Sequence, residues 1–191
     1  NIRQIIWKIR AKKVVLATGS IERFLTFDNN DRPGIMLANT ARKYLNHYFV
    51  NLPKKIIIFT NNDSAYLTAI DCVNNNINVQ AIIDIRQDSN GDLVKKAKKI
   101  GIKIFFNQAV IDTKGRKKIN AVIISELNKN LEKTIGDPKK LSCDLLLVSG
   151  GWTPSVQLFS QSRGKLIYRE SDATFIPYKS FQDEISIGSC N

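Results

Sequence analysis

The sequence predicts an α/β fold, a short parallel sheet with a β-meander packed on it, and three features carry that prediction. The apolar run over residues 55–59 ends in a turn, passes into a helix over about 63–74, and returns as an apolar strand over 79–83, which is a βαβ unit. Residues 109–113 and 119–125 alternate around Gly115 as a hairpin. A wholly apolar strand over 145–148 then returns and is broken by Gly150-Gly151, as a strand buried on both faces of a parallel sheet would be.

The remaining elements follow in order. Residues 5–10 alternate apolar and polar and predict a strand; 13–17 predict a second, ending in Thr18-Gly19-Ser20. Asn29-Asn30-Asp31-Arg32-Pro33-Gly34 is a turn cluster. Leu37, Ala41, Tyr44, Leu45 and Tyr48 keep helical spacing over 37–49. Asn62 or Asp63 is the expected N-cap of the helix over 63–74, and Asn74-Asn75-Asn76 ends it. A helix over 92–100, a short strand over 103–106 and a charged loop over 128–140 complete the series. Breaks near 51–53 and 150–151 divide the chain into an outer part over 1–50, an inserted domain over 51–149, and a return to the outer part over 150–191.

Composition narrows the function. The 191 residues, 43% hydrophobic and 24% charged, describe a globular chain. A net charge of +12 invites nucleic acid as a partner, but the lysines fall in scattered pairs (95-96, 98-99, 117-118, 139-140) on expected helix ends and turns, without interleaved aromatics. No nucleic-acid partner is expected. The apolar runs are far too short to span a bilayer, so no membrane partner is expected either. No secretory leader opens the chain; it starts without Met and stops at Gly188-Ser189-Cys190-Asn191, which implies a segment of a longer polypeptide. Cys72, Cys143 and Cys190 are widely spaced and His47 is the one histidine, so no metal cluster is expected. The cysteines are read as small core residues of a protein in a reducing cytoplasm.

The turn after residue 59 is where a dinucleotide-binding unit carries G-x-G-x-x-G/A. Here Thr60 and Asn62 replace the first two glycines and only the small Ala65 remains. The frame of a nucleotide site is present with its phosphate cradle rewritten. Asp84 stands about 20 residues on, where a ribose-binding acid belongs, with Arg86 beside it. The two either contact an adenine ribose or 2′-phosphate, or are strand-end polar residues, solvated or paired with each other; loss of the glycines favours the second. Ala17-Thr18-Gly19 and Ser149-Gly150-Gly151-Trp152 each follow a buried strand with small residues, which lets a ligand approach the main chain. Trp152 lines a pocket or plugs an interface, while Phe105, Phe106 and Phe159 are expected core.

The paired strand-end motifs around an inserted nucleotide domain resemble the flavin- and nicotinamide-binding disulfide-reductase superfamily. Residues 17–23 (Ala-Thr-Gly-Ser-Ile-Glu-Arg), 29–37 (Asn-Asn-Asp-Arg-Pro-Gly-Ile-Met-Leu), 59–66 and 149–162 more closely resemble the alpha subunit of heterotetrameric sarcosine oxidase. That resemblance implies a Rossmann-like FAD/NAD(P)-binding domain of the disulfide-reductase type, inserted in an incomplete second nucleotide-binding domain. It maps to the middle of the subunit, without the family's Gly-rich amino-terminal turn or its carboxy-terminal folate domain.

The resemblance also implies a cytoplasmic enzyme of one-carbon metabolism that oxidises sarcosine to glycine, releasing hydrogen peroxide with formaldehyde or methylene-tetrahydrofolate. NAD would be bound by the alpha subunit, and FAD and FMN would be anchored elsewhere in a complex with beta, gamma and delta subunits. Tetrahydrofolate would be reached through the carboxy-terminal domain. No residue here is expected to be catalytic. The expected cofactor-binding residues are Ala17, Thr18, Gly19, Gly150, Gly151, Gly188, Ser189 and Cys190. No cysteine lies between residues 44 and 55, which excludes the dithiol of the thioredoxin-reductase type. The superfamily's closing Gly-Asp, whose acid holds a flavin ribityl chain, reads Gly188-Ser189 here, which favours NAD over FAD. The rival reading is an NAD(P)H-dependent flavoprotein reductase using the inserted domain as a working pyridine-nucleotide site; a scaffold that binds only partner subunits is the third.

Overall fold

The computed structural model describes residues 3–191. In chain order the strands begin with β1 (Val14–Leu16), β2 (Ser20–Glu22) and β3 (Ile35–Leu37), followed by helix α1 (Ala38–Asn46). Next come β4 (Ile56–Thr60), α2 (Ser64–Asn74), β5 (Val79–Asp84), α3 (Asp92–Lys99) and β6 (Ile104–Phe106). The strands β7 (Gln108–Lys114), β8 (Ala121–Leu127), β9 (Thr134–Ser142) and β10 (Leu145–Ser149) follow. The last elements are β11 (Trp152–Pro154), α4 (Gln157–Gln161), β12 (Lys165–Arg169), β13 (Thr174–Lys179) and β14 (Glu184–Ser186). The chain divides into two compact units, Glu22–Gly151 and a second made of Asn1–Ile21 with Trp152–Asn191. Among the described residues, no helix is long and apolar enough to cross a membrane.

The Glu22–Gly151 unit is built on a five-stranded parallel sheet in the order β3-β10-β4-β5-β6. Side chains alternate across the pleat, so Ile56, Ile58, Ile82, Leu145 and Leu147 face α1, α2 and α3, meeting Ala41, Leu45, Tyr66, Ala69 and Val94. Ile57, Phe59, Ile83, Leu146 and Val148 face the other way, onto Val110, Val122 and Ile124 of the meander β7-β8-β9. Burial on both faces is why these strands read as continuous apolar runs. Phe105 and Phe106 are half-buried and pack against these two cores, as expected.

The turn cluster before β3 is strapped to the meander. Asn29 donates to the Asp112 carboxylate at 2.7 Å, Thr113 donates to the Asn29 carbonyl at 2.8 Å, and Arg32 donates to the Gly115 carbonyl. Gly34 has φ +98°, and a β-carbon there would lie 2.5 Å from Ile119 Cγ2, so both conformation and space require glycine.

Three expectations change. Residues 5–10 form no strand and are exposed, because no neighbouring strand among the described residues pairs with their backbone. The charged loop expected over 128–140 contains most of β9, which pairs antiparallel with β8 (Ile124↔Lys139, Ile123↔Lys140). Its side chains are almost all exposed, so the strand is held by backbone hydrogen bonds and leaves no hydrophobic period to read. Lys139 and Lys140 therefore lie in a strand, not a turn. Residues 22–50, expected with the outer part, fall in the Glu22–Gly151 unit, because β3 joins the sheet beside β10 and Ala38, Ala41 and Leu45 enter its core.

In the other unit, β1 and β14 pair in parallel with Leu16 opposite Ser186. β12 and β13 form an antiparallel hairpin with Tyr168 opposite Phe175, their rings 5.2 Å apart. Phe159 on α4 is buried, as expected.

Candidate functional site

In the Glu22–Gly151 unit, β4, β5 and β6 extend the sheet one way while β10 and β3 lie on the other side of β4. The topological switch point is therefore between β4 and β10, and ligands of such sheets bind in the crevice outside the carboxyl ends of those strands. Thr60 ends β4 and Ser149 ends β10, in register with each other and both wholly buried. The crevice position is taken by the chain's own polar groups.

Thr60 Oγ1 donates to the Asn62 carbonyl at 3.0 Å and accepts from the Asn62 amide at 3.1 Å. The Asn62 side-chain amide donates to the Ser149 carbonyl and hydroxyl, each at 3.1 Å. Asn62 Oδ1 accepts from the Ser64 amide at 3.1 Å and the Ser64 hydroxyl at 2.5 Å, so it satisfies the start of α2. Asn62 thus does the capping, and Asp63 makes no side-chain cap bond. Backbone amides that would face a pyrophosphate at a glycine turn are committed to side chains here.

Glu22 joins the same network. Its carboxylate accepts from the Asn39 amide in the first turn of α1 at 2.8 Å, and burial pushes its pKa up against the opposing hydrogen bonds of Ser149 and Asn39.

The neighbouring strand end is closed in the same manner. Asp84, wholly buried at the end of β5, accepts from the Tyr66 hydroxyl at 2.7 Å and from Arg86 through Nε at 3.0 Å and Nη2 at 2.7 Å. Arg86 Nη1 reaches Asp63 at 2.7 Å, and Ser89 also donates to Asp63. Burial works against the Arg86 charge, but the hydrogen bonds and charges of Asp84 and Asp63 outweigh it and hold the guanidinium firmly protonated. Burial, then the Asp84 carboxylate, pushes the Tyr66 phenol above its usual range. Of the two readings of Asp84 and Arg86, the pairing of each with the other is the one observed. No ribose-binding carboxylate is left exposed at this position.

In the unit of β1 and β14, the parallel pairing sets two strand ends side by side. Ala17-Thr18-Gly19 leaves β1 and the single turn Gly188–Cys190 follows β14. Gly19 and Gly188 both have φ +72°; a β-carbon at Gly19 would come 3.9 Å from Ser189 Oγ, and one at Gly188 would meet nothing within 4 Å. Thr18 Oγ1 donates to the Ser155 carbonyl at 2.6 Å, and the Ser155 amide donates to the Gly19 carbonyl at 2.9 Å. Cys190 is buried, with Sγ 3.2 Å from the Leu16 carbonyl and 3.0 Å from the Ile187 carbonyl. Burial raises its thiol, but hydrogen bonding with Thr18, Gly19 and Ile187 brings it below its ordinary value.

A cavity of about 530 Å³ lies beside these strand ends, lined by Ser20, Trp152, Pro154, Arg169, Asp172 and Ser189 with Asn191. Trp152 therefore lines a pocket. Arg169 forks onto Asp172 at 2.8 and 2.7 Å, and that ion pair draws the Asp172 carboxyl down to about 2.

The structure thus gathers Ala17, Thr18, Gly19, Gly188, Ser189 and Cys190 within one unit. Gly150 and Gly151 are built into the Glu22–Gly151 unit, where the Gly150 amide donates to the Arg23 carbonyl at 2.7 Å and the Arg23 amide to the Gly151 carbonyl at 2.8 Å. Sequence reasoning missed Glu22 and Ser149 as members of the switch-point network. Ser149 carries a usable signal, a hydroxyl between a buried strand and a glycine pair; nothing local marks Glu22. Among the described residues, no group of histidine, cysteine and carboxylate side chains is arranged to hold a metal ion.

Comparison with known proteins sets these sites in context. No family model matches the chain. It is 41% identical over 177 residues to the sarcosine oxidase subunit alpha of Corynebacterium sp. (strain P-1), covering 92% of this chain and 18% of that protein. It is 35% identical over 172 residues to the subunit of the same name from Rhizobium meliloti (strain 1021), covering 90% and 16%. The chain therefore spans less than a fifth of the length of the curated relatives it matches. Among solved structures, thioredoxin reductase of T. acidophilum superposes with a TM-score of 0.74 at 19% identity over 95% of this chain and 58% of its own. L-proline dehydrogenase of P. horikoshii gives 0.60 at 22% identity over 94% and 30%. The fold is that of the FAD- and NAD(P)-dependent disulfide oxidoreductases.

Proposed function

From its similarity to part of the sarcosine oxidase alpha subunit, we propose that this chain is the part of that subunit that binds NAD in its outer unit and keeps the inserted unit as a closed frame. The whole protein would belong to a cytoplasmic complex with beta, gamma and delta subunits that oxidises sarcosine to glycine. FAD and FMN would be anchored outside this chain, and tetrahydrofolate would be served by a separate carboxy-terminal domain. None of the residues here would act as an acid, a base or a nucleophile on the substrate.

The observation that carries this reading is the self-bonded turn. Asn62 and Thr60 spend on Ser149, Ser64 and each other the groups that a pyrophosphate would need, so these residues do not fit a nucleotide at the β4–β10 crevice. The rival reading, a working pyridine-nucleotide site in the inserted unit, requires that network to come apart and Asp84 to leave Arg86 and Tyr66.

The outer strand ends do fit. Gly19 and Gly188 let a ligand approach the backbone, Gly188 faces open space, and Ser189 lines the adjoining cavity. Ala17, Thr18, Gly19, Gly188, Ser189 and Cys190 would form the floor of the site, while Gly150 and Gly151 would serve only where the chain leaves β10. NAD bound there would supply a dinucleotide that is not turned over as a hydride carrier, and this chain's own part would be to hold it.

Mass spectrometry of the nucleotides released from the full-length polypeptide tests the reading. NAD without FAD is expected. FAD released from this polypeptide would overturn it, bleaching of a flavin by added NADH would favour the reductase, and absence of any nucleotide would leave the scaffold.

A further inference from the structure

The carboxyl end of α1 carries an aromatic patch that the Glu22–Gly151 unit does not use. The Tyr44 and Tyr48 rings lie 6.0 Å apart, tilted by 55°, His47 meets Tyr48 edge-on at 4.7 Å, and Phe49, next in sequence to Tyr48, is 85% exposed. Phe49 also has φ +54°, in the left-handed region, two residues past the His47 cap of α1. The Val50 amide closes that end on the Tyr44 carbonyl at 3.0 Å, so the left-handed residue is built into the helix stop. A bulky residue in this conformation is a backbone outlier, and here it gains no burial in return.

Charge gives the patch a second character. A cavity of about 380 Å³ opens between Asn39, Thr40, Lys43, Tyr44 and Tyr48. Arg42, one residue before Lys43, is paired with Asp71, as is Asn46. Among the described residues no carboxylate pairs with Lys43. The cavity therefore offers aromatic walls and an ammonium group whose counter-charge the unit does not supply.

We propose that this patch is a docking site for an acidic segment of another polypeptide. An apolar side chain of that segment would seat against Tyr44, Tyr48 and Phe49, and a neighbouring carboxylate would pair with Lys43. Aromatic anchors are enriched at interface centres and charge belongs to their polar rim, where Lys43 would steer a carboxylate, and the net charge of +12 favours an acidic partner over a second copy of this chain. The proposal goes beyond the nucleotide reading and does not depend on where a nucleotide binds.

The test uses the full-length polypeptide in its assembled complex, with a photo-crosslinking benzoylphenylalanine in place of Phe49. The expected product joins this position to a peptide of another polypeptide that has an Asp or Glu within a few residues of the crosslink. A crosslink into the same polypeptide, a crosslink to a peptide without a nearby acid, or no intermolecular product would each overturn the proposal. A second variant, Phe49→Gly, separates docking from folding. Glycine suits the left-handed position, so the melting temperature is expected to hold or rise while association weakens about tenfold or more. Unchanged association would overturn the proposal, and a lower melting temperature would show that Phe49 serves the fold instead. Lys43→Glu is expected to weaken association by a comparable factor.

Discussion

Asn62 spans the switch point of the sheet: its side-chain amide donates to both the carbonyl and the hydroxyl of Ser149, each at 3.1 Å. The contact ties the turn after β4 to the end of β10, and it makes Asn62→Gly an informative substitution. Restoring the glycine of a dinucleotide turn should cost about 1–3 kcal/mol, since Ser149 loses a partner at a buried strand end. It should not create affinity for NADH, because Thr60 Oγ1 still accepts from the amide of residue 62. Denaturant unfolding and calorimetric titration with NADH check the two halves. Tight NADH binding by this single variant would show that Asn62 alone closes the site.

Asp84 and Arg86 give a second prediction. The carboxylate is wholly buried and takes three side-chain hydrogen bonds, two of them from Arg86. Arg86→Ala should destabilise the unit by roughly 3–5 kcal/mol, since it strands a buried charge and also frees Asp63. Tyr66→Phe removes one donor of the three and should cost about 1–2 kcal/mol. Thermal unfolding ranks the two, and the reverse order would refute the assignment.

Glu22 makes stability depend on pH in a direction opposite to most carboxylates. Its folded pKa is raised above the ordinary 4.5 by burial, so the folded state binds the proton more tightly than the unfolded chain. Its contribution is fully present below 4.5 and is lost as pH rises through the folded value. Glu22→Gln keeps an acceptor for Asn39 and cannot ionise. Its stability relative to the parent should therefore increase as pH rises above 4.5 and level off once the folded Glu22 has ionised, measured as the difference between two denaturation series.

The three cysteines should separate under alkylation. Burial, helped by Asp71 and Asp144, pushes the Cys72 and Cys143 thiols up to about 12, so both should resist iodoacetamide at pH 7.5 while the protein is folded. Cys190 shifts the other way through Thr18, Gly19 and Ile187. Its pH midpoint of modification should lie below 9, and Thr18→Val should move it upward. Peptide mapping of alkylated protein reads both.

Much of this architecture was legible locally. Ile56, Ile57, Ile58 and Phe59 announce a strand buried on both faces because helices and meander each take one face of the pleat. The rewritten turn at Thr60 and Asn62 was visible as missing glycines, and Asp84 as an acid at the right distance. Residues 5–10 had the alternation of a strand and lack a partner among the described residues, while β9 had a partner and lacks alternation. Periodicity reports which side chains are buried, and strand formation is decided by which backbone groups find each other.

The sequence by itself determined the α/β class, the two strand-end motifs and the loss of the glycine turn, because each is written in residues close together along the chain. Only the tertiary structure decided what replaced that turn. Ser149 lies 87 positions from Asn62, and Glu22 reaches the network through α1, so no local pattern carries the closure. It exists because parallel pairing sets the ends of β4 and β10 in register, where buried polar atoms must satisfy one another.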